Sequence, residues 1–197
     1  QDNGLLTDES LEGFRLGEDP YRYPDVNWYD AMVNKRGALQ QQYNVNISGG
    51  TKVVKYFISL GYLNQGGMFK YTDLQKDYNP QAYYRRFNFR SNIDLNINKY
   101  QTLSANISGR SGEMNGFKGS SGHFFQGLIA KEPWRHPIYN PDGTIAGVEG
   151  SGNPLASIAY SGYENSKTNY YDIVGTLHND LSFITNGLSF DMSISFN

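Results

Sequence analysis

The 197-residue sequence contains no cysteine, which removes disulfide scaffolds, cysteine nucleophiles, thiolate zinc sites and iron–sulfur clusters. Charge is scarce too. Asp, Glu, Lys and Arg make up 18% of the chain, below the roughly 25% usual in soluble domains, and 17 basic against 19 acidic residues leave a formal net charge of -2. A chain so balanced lacks the basic footprint that nucleic-acid binding requires. No long apolar run is present, so no transmembrane helix is predicted. The segment opening at Gln1 has neither the basic start nor the apolar middle of a signal peptide, and any such leader is expected to lie outside this chain. The mean hydropathy of -0.60 does not separate a soluble protein from a transmembrane β-barrel, in which only every second residue meets lipid.

What is plentiful is glycine, 22 residues, and aromatics, 15% of the chain with 16 Tyr, 11 Phe and 2 Trp. Gly4, Gly13, Gly17, Pro20 and Pro24 mark the opening stretch as loop, with a helical turn only over Asn27 to Met32. From Gln41 the pattern switches to period two, the mark of a strand with one apolar face. Tyr43, Val45 and Ile47 alternate with Asn44, Asn46 and Ser48, and Gly49-Gly50 then predicts a tight turn at positive φ. Val54, Tyr56, Ile58, Leu60 and Tyr62 share the next apolar face. Phe87, Phe89, Ile93, Leu95 and Ile97 share the third, opposite Arg86, Asn88, Arg90, Asn92, Asp94 and Asn96, and Leu103, Ala105 and Ile107 share the fourth. Two further strands follow: Tyr171, Ile173, Leu177, Leu181 and Phe183, then, after an Asn186-Gly187 turn, Phe190, Met192, Ile194 and Phe196.

The predicted fold class is all-β: an antiparallel transmembrane β-barrel segment of about six strands belonging to a larger barrel, with long extracellular loops. Residues 1–40 are expected to be an extracellular loop segment and 41–197 a partial barrel. The strands are expected at about 41–48, 52–63, 84–97, 101–110, 169–183 and 187–197, and the long outer loops at about 64–82 and 111–168. The warrant is the strict alternation of short and long connections, together with a polar face built from Asn, Ser, Thr and Gly rather than Lys and Glu, which suits a hydrated lumen. A soluble β-sandwich is the competing architecture. Six such strands close no barrel of useful size, since the smallest outer-membrane barrels have about 8, so the chain is expected to be a fragment.

Several strings carry a further signal. Trp28-Tyr29-Asp30, Asn44 to Gly50, Lys55 to Gln65 with Gly67, and Arg86 to Asp94 follow one another in order, and Asn106 to Gly109, Asn140 to Gly143 and Asn153-Pro154 follow later. This succession closely resembles the early barrel strands of SusC/RagA-type TonB-linked outer-membrane transporters. The resemblance implies a barrel of about 22 strands with an N-terminal plug, located in the bacterial outer membrane. It implies a SusD-like surface lipoprotein as partner and the TonB–ExbB–ExbD complex as the energy source, the latter acting through parts missing from this chain. It also implies import of oligosaccharides or peptides, with no enzyme activity and no cofactor. No TonB box or plug is legible here. The alternative function is a soluble all-β module that binds glycans.

Two groups of candidate residues follow. Lys55, Arg86, Arg90 and Asp94 fall on the polar face, where they either contact the plug and line the substrate path or pair with one another and with the plug. Phe124, Phe125, Trp134, Arg135, His136 and Tyr139 cluster in the long loop, where they either stack on sugar rings or prolines and dock partners, or pack on themselves. His123, His136 and His178 are too scattered for a metal-ligand spacing, and no phosphate loop or nucleophile elbow is present. Glu132 and Asp142 form no convincing acid–base pair, because Asp-Gly in a turn is expected for backbone reasons alone.

Overall fold

A computed structural model of the chain describes residues 7–74, 77–119, 121–147 and 152–197. Parts of the expected opening segment and outer loops (residues 1–6, 75–76, 120 and 148–151) lie outside the described residues. Helices α1 (Asp8–Leu16) and α2 (Trp28–Met32) precede strands β1 (Gln40–Gly50), β2 (Val54–Gln65), β3 (Tyr83–Asn98) and β4 (Gln101–Phe117). Helices α3 (Ser121–Ala130) and α4 (Pro154–Tyr160) separate these from β5 (Tyr163–Asp180) and β6 (Ser189–Phe196). The six strands form one sheet in chain order, each hydrogen-bonded to the next and the sheet not closed on itself. The chain divides into two units. One is the sheet, made of Leu39–Gly66, Tyr83–Met114 and Asn165–Asn197; the other gathers the described residues of Gln1–Ala38, Gly67–Ala82 and Asn115–Glu164.

In the sheet, the period-two pattern sets the register. Tyr43, Val45 and Ile47 of β1 stand opposite Tyr62, Leu60 and Ile58 of β2, which stand opposite Phe87, Phe89 and Ser91 of β3. A slip of one residue would exchange the faces of the whole strand. Two turns differ from the sequence expectation. Gly49 and Gly50 belong to β1, and neither has positive φ. The hairpin closes beyond them at Thr51, whose hydroxyl accepts from the amides of Val53 (3.1 Å) and Val54 (3.2 Å). Gly49 serves packing instead, because a Cβ there would lie 2.6 Å from the Tyr56 hydroxyl. At the other end of the sheet, Leu181 and Phe183 leave the strand. The Asp180 carboxylate accepts from the Ser182 amide at 2.8 Å and starts a turn that ends through Gly187 at φ 83°.

Strands β4 and β5 run further than expected, to Phe117 and from Tyr163 rather than to about residue 110 and from about 169. Polar groups hold these extensions. The Tyr83 hydroxyl donates to Glu113 Oε1 (3.1 Å), Asn165 Nδ2 donates to the same oxygen (3.0 Å), and Lys167 Nζ lies 3.8 Å from it. Where both faces of a strand meet water, the apolar alternation that reveals it disappears.

The second unit has a core of its own. Trp28, Met32, Phe69, Phe117, Leu128, Leu155 and Ile158 are buried together, and full burial of each aliphatic side chain contributes about 1.5–3 kcal/mol. Phe69 meets Phe117 and Phe124 edge-on, at centroid distances of 5.4 and 5.3 Å. Asn153 caps α4 by accepting from the Leu155 amide (2.9 Å), and its Nδ2 donates to the carbonyls of Ala146 (2.6 Å) and Ile138 (3.0 Å). The helix α1 replaces expected loop. Thr7 caps it by accepting from the Ser10 amide, Asp8 and Glu9 occupy its first turn, and Gly17 ends it at φ 65°.

Candidate functional site

The polar face of the sheet is built from cross-strand rows. Asn44, Gly61 and Asn88 form one, Asn46, Ser59 and Arg90 the next, and Lys55 stands opposite Asp94. Further across, the Arg110 guanidinium lies 4.9 Å from the Tyr170 ring centroid. Of these residues Asn44, Ser59, Asn88, Arg90, Arg110 and Tyr170, together with Asp172 and Asn197, line an open hollow of about 810 Å³. Gly61 makes the hollow possible: a Cβ there would lie 2.5 Å from Asn88 Nδ2 and 3.1 Å from Asn44 Oδ1. Amides and guanidinium groups side by side offer donors and acceptors to a polar solute without committing to one charge.

The four charged residues expected on this face, Lys55, Arg86, Arg90 and Asp94, share its parity on β2 and β3. Among the described residues no ion pair joins any of them. Asp94 instead accepts from the Ser104 hydroxyl at 2.6 Å, and Arg86 Nε is buried with no hydrogen-bond partner among the described residues. Sequence reading singled out neither Tyr170 nor Gly61. The signal for Tyr170 was its even number, which places it beside Asp172 on the face opposite Tyr171 and Ile173.

The aromatic loop cluster is divided by the fold. Phe124 and Phe125 are half-buried, each ring 5.3 Å from that of Phe69. His136 is 6% exposed, its ring centroid 5.1 Å from that of Trp28. Tyr139 is half-buried in a bridge with Ile145, and burial raises its hydroxyl above the ordinary tyrosine range. Only Trp134 and Arg135 reach solvent. Trp134 lines a groove with Leu11, Phe14 and Pro24. Arg135 bonds Glu132 at 3.0 Å, which holds that carboxyl below its usual value. Among the described residues no group of three His, Asp or Glu converges on a metal position.

The opposite face of the sheet is apolar and bare. Val45, Ile47, Leu60, Ile93, Ile173 and Met192 are all exposed, and Ile194 is 61% exposed. Among the described residues every hydrophobic side chain of the buried core lies outside the sheet unit, so the sheet unit has no buried apolar interior of the kind a sandwich demands. The band has limits. From Phe87 to Ile97 is ten steps of about 3.3 Å, or about 25 Å in height at a strand tilt of about 40°, the height of a barrel's lipid-facing band. Tyr43, Tyr62 and Phe87 form an aromatic row at its upper margin.

No protein-family model matches the chain. TonB-dependent receptor P26 of Formosa agariphila is 32% identical over 171 residues, which is 83% of this chain and 15% of that receptor. The structure of the RagAB peptide importer in its closed-closed state superposes with a TM-score of 0.60 at 20% identity, covering 98% of this chain and 22% of the other. A structure of the RagAB peptide transporter superposes equally, with a TM-score of 0.60 at 21% identity over 87% of this chain and 18% of the other. The chain belongs to the TonB-dependent receptors, and its fold is that of a stretch of the RagAB structures. It therefore spans less than a quarter of the length of the proteins it matches. In the barrel fold those structures share, one face of each strand turns outward and the other inward.

Proposed function

We propose that this chain is a stretch of barrel wall in an outer-membrane active transporter that imports peptides or oligosaccharides. In this reading a SusD-like lipoprotein delivers substrate from the side of the long loops, the TonB–ExbB–ExbD complex drives rearrangement of a plug, and the wall guides the solute without chemical change. The observation that supports it is the two-faced sheet: an uncovered apolar band on one side and, on the other, a hollow lined by Asn44, Asn88, Arg90, Arg110 and Tyr170. Amide rows and a guanidinium stacked on a tyrosine suit the carbonyl and hydroxyl groups that peptides and sugars share. Lys55, Arg86, Arg90 and Asp94 then serve as plug contacts or lining groups, and Trp134 and Arg135 as the outer-loop residues open to a partner.

The soluble glycan-binding alternative loses support, because a self-contained module would bury Phe89, Ile107 and Ile194 in a dry centre. Phe89 and Ile107 are only half-buried and Ile194 is exposed. The test is growth of the source bacterium on defined oligopeptides and oligosaccharides as sole nutrient, with the full receptor deleted and then restored. Loss of growth on one class, rescued by the intact gene and not by a receptor with a disabled TonB-binding segment, is expected. Unchanged growth and uptake on every substrate, or rescue independent of TonB, would overturn the proposal.

A further inference from the structure

Above the aromatic row, the lipid-facing parity of the strands continues into polar residues. Asn64 and Arg85 are cross-strand partners, two residues beyond Tyr62 and Phe87, which places them about 5 Å higher on the wall for the same tilt. That is headgroup depth for a protein whose apolar band ends at its aromatic row. Arg85 is held there in a fixed pose. Its guanidinium lies 4.4 Å from the Tyr83 ring centroid, and its Nε donates to Asn64 Oδ1 at 3.3 Å. Its two terminal nitrogens have no partner among the described residues. The neighbouring carboxylate, Glu113, is already engaged by Tyr83 and Asn165 and lies 3.8 Å from Lys167 Nζ. The Lys167 side chain is itself 68% exposed.

We propose that Arg85 and Lys167 bind the phosphate of a phosphorylated lipid headgroup in the outer leaflet, a site on the outside of the wall separate from the lumen. This inference rests on the membrane reading given above. A stacked guanidinium with a free two-nitrogen fork matches phosphate oxygens bidentately, and Lys167 on β5, two strands away across Glu113 of β4, supplies a second, mobile donor. The single carboxylate of the cluster is the reason the site is positive rather than neutral: its hydrogen bonds hold it toward Tyr83 and Asn165, while the Arg85 fork remains open. A merely structural Arg85, clamping β3 to Asn64 of β2, would need only Nε and no anion.

The test uses the full receptor purified in detergent and exposed to diphosphoryl lipid A, to the same lipid with its phosphates removed, and to inorganic phosphate as competitor, with bound lipid counted by native mass spectrometry. Retention of the phosphorylated lipid is expected to fall about tenfold in Arg85→Gln, the loss of roughly one charge-assisted hydrogen bond. Lys167→Gln is expected to fall less, and Arg85→Lys to keep part of the binding. The phosphate-free lipid should be retained poorly and equally by all variants. Equal retention of the two lipids, or of wild type and Arg85→Gln, would overturn the site, as would full displacement by millimolar inorganic phosphate, which would make it a free-anion site. A nitroxide attached at Ile194→Cys separates this failure from a deeper one. If the label is reached by lipid-borne quenchers, only the phosphate site has failed; if aqueous quenchers alone reach it, the membrane reading has failed as well.

Discussion

The side-chain amide of Asn88 lies across Gly61, its direct partner on β2, so closely that a Cβ on Gly61 would sit 2.5 Å from Nδ2. Glycine is needed here for space, not for an unusual backbone, since its φ is not positive. Gly61→Ala should therefore displace only the end of the Asn88 side chain and cost less than about 1 kcal/mol. Gly61→Leu should fill the hollow between Asn44 and Arg90 with an apolar group. Uptake of labelled substrate by cells is expected to be near normal for the first and several-fold lower for the second, with both receptors showing the heat-modifiable gel mobility of a folded barrel. Equal uptake by both would remove this part of the wall from the substrate path.

Ile93 is exposed within the bare band, while Asn92, one residue away, lies on the opposite, amide-bearing face across from Phe57. On the proposed reading these adjacent residues meet opposite solvents. Ile93→Arg, like Ile58→Arg, should cost about 2–4 kcal/mol near the bilayer midplane, whereas Asn92→Ala should be mild. Urea titration of the full receptor folded in lipid vesicles measures both, and similar losses in the two classes would contradict the assignment of faces.

The same residues show what the sequence could reveal. Strands β1, β2 and β3 were legible because one solvent is apolar and the other aqueous, so Ile93 and Asn92 had to differ. Ser111 to Glu113 and Tyr163 to Thr168 were not, because polar side chains on both faces erase the contrast even though Glu113 is well bonded there. Gly49-Gly50 resembled a turn because a glycine pair has two uses, and only the Tyr56 ring above Gly49 distinguishes them. The loop aromatics pointed outward or inward equally well on paper. Their burial depends on Phe69, Phe117 and Leu155, which converge from distant parts of the chain, and such contacts leave no local period. For Lys55, Arg86, Arg90 and Asp94 parity gave the face, but the absence of ion pairs among the described residues became visible only with the structure.

Asn153 joins three roles in one buried side chain, capping α4 and donating to the carbonyls of Ala146 and Ile138. Asn153→Ala should lose the cap, about 1 kcal/mol, and deprive the buried Ala146 carbonyl of its side-chain donor at about 1–3 kcal/mol, while the Ile138 carbonyl keeps its bond from the Ala146 amide (3.1 Å). Asn153→Asp would keep the cap acceptor and place a carboxylate against the same carbonyls. Limited proteolysis between Ile138 and Tyr160 is expected to be faster in both variants, while the barrel keeps its folded mobility. Unchanged proteolysis in Asn153→Ala would show that the loop unit does not depend on this residue.

Asp142 accepts from the Thr144 hydroxyl (2.6 Å) and amide (2.9 Å) in the turn that Gly143 closes onto the Asn140 carbonyl (2.9 Å). These bonds, the hydroxyl first, hold its carboxyl below the ordinary aspartate value. A carboxyl whose pKa is depressed by folding stabilises the fold fully above its unfolded pKa, near 3.9, and loses that contribution as the pH falls through the folded value. The group is fully exposed, so the effect should stay confined to the turn. Deuterium exchange over residues 138–146, corrected for intrinsic rates, should show wild type and Asp142→Asn diverging as the pH falls below about 4, with only wild type loosening. Parallel behaviour of the two would mean that the carboxylate contributes nothing to the order of this turn.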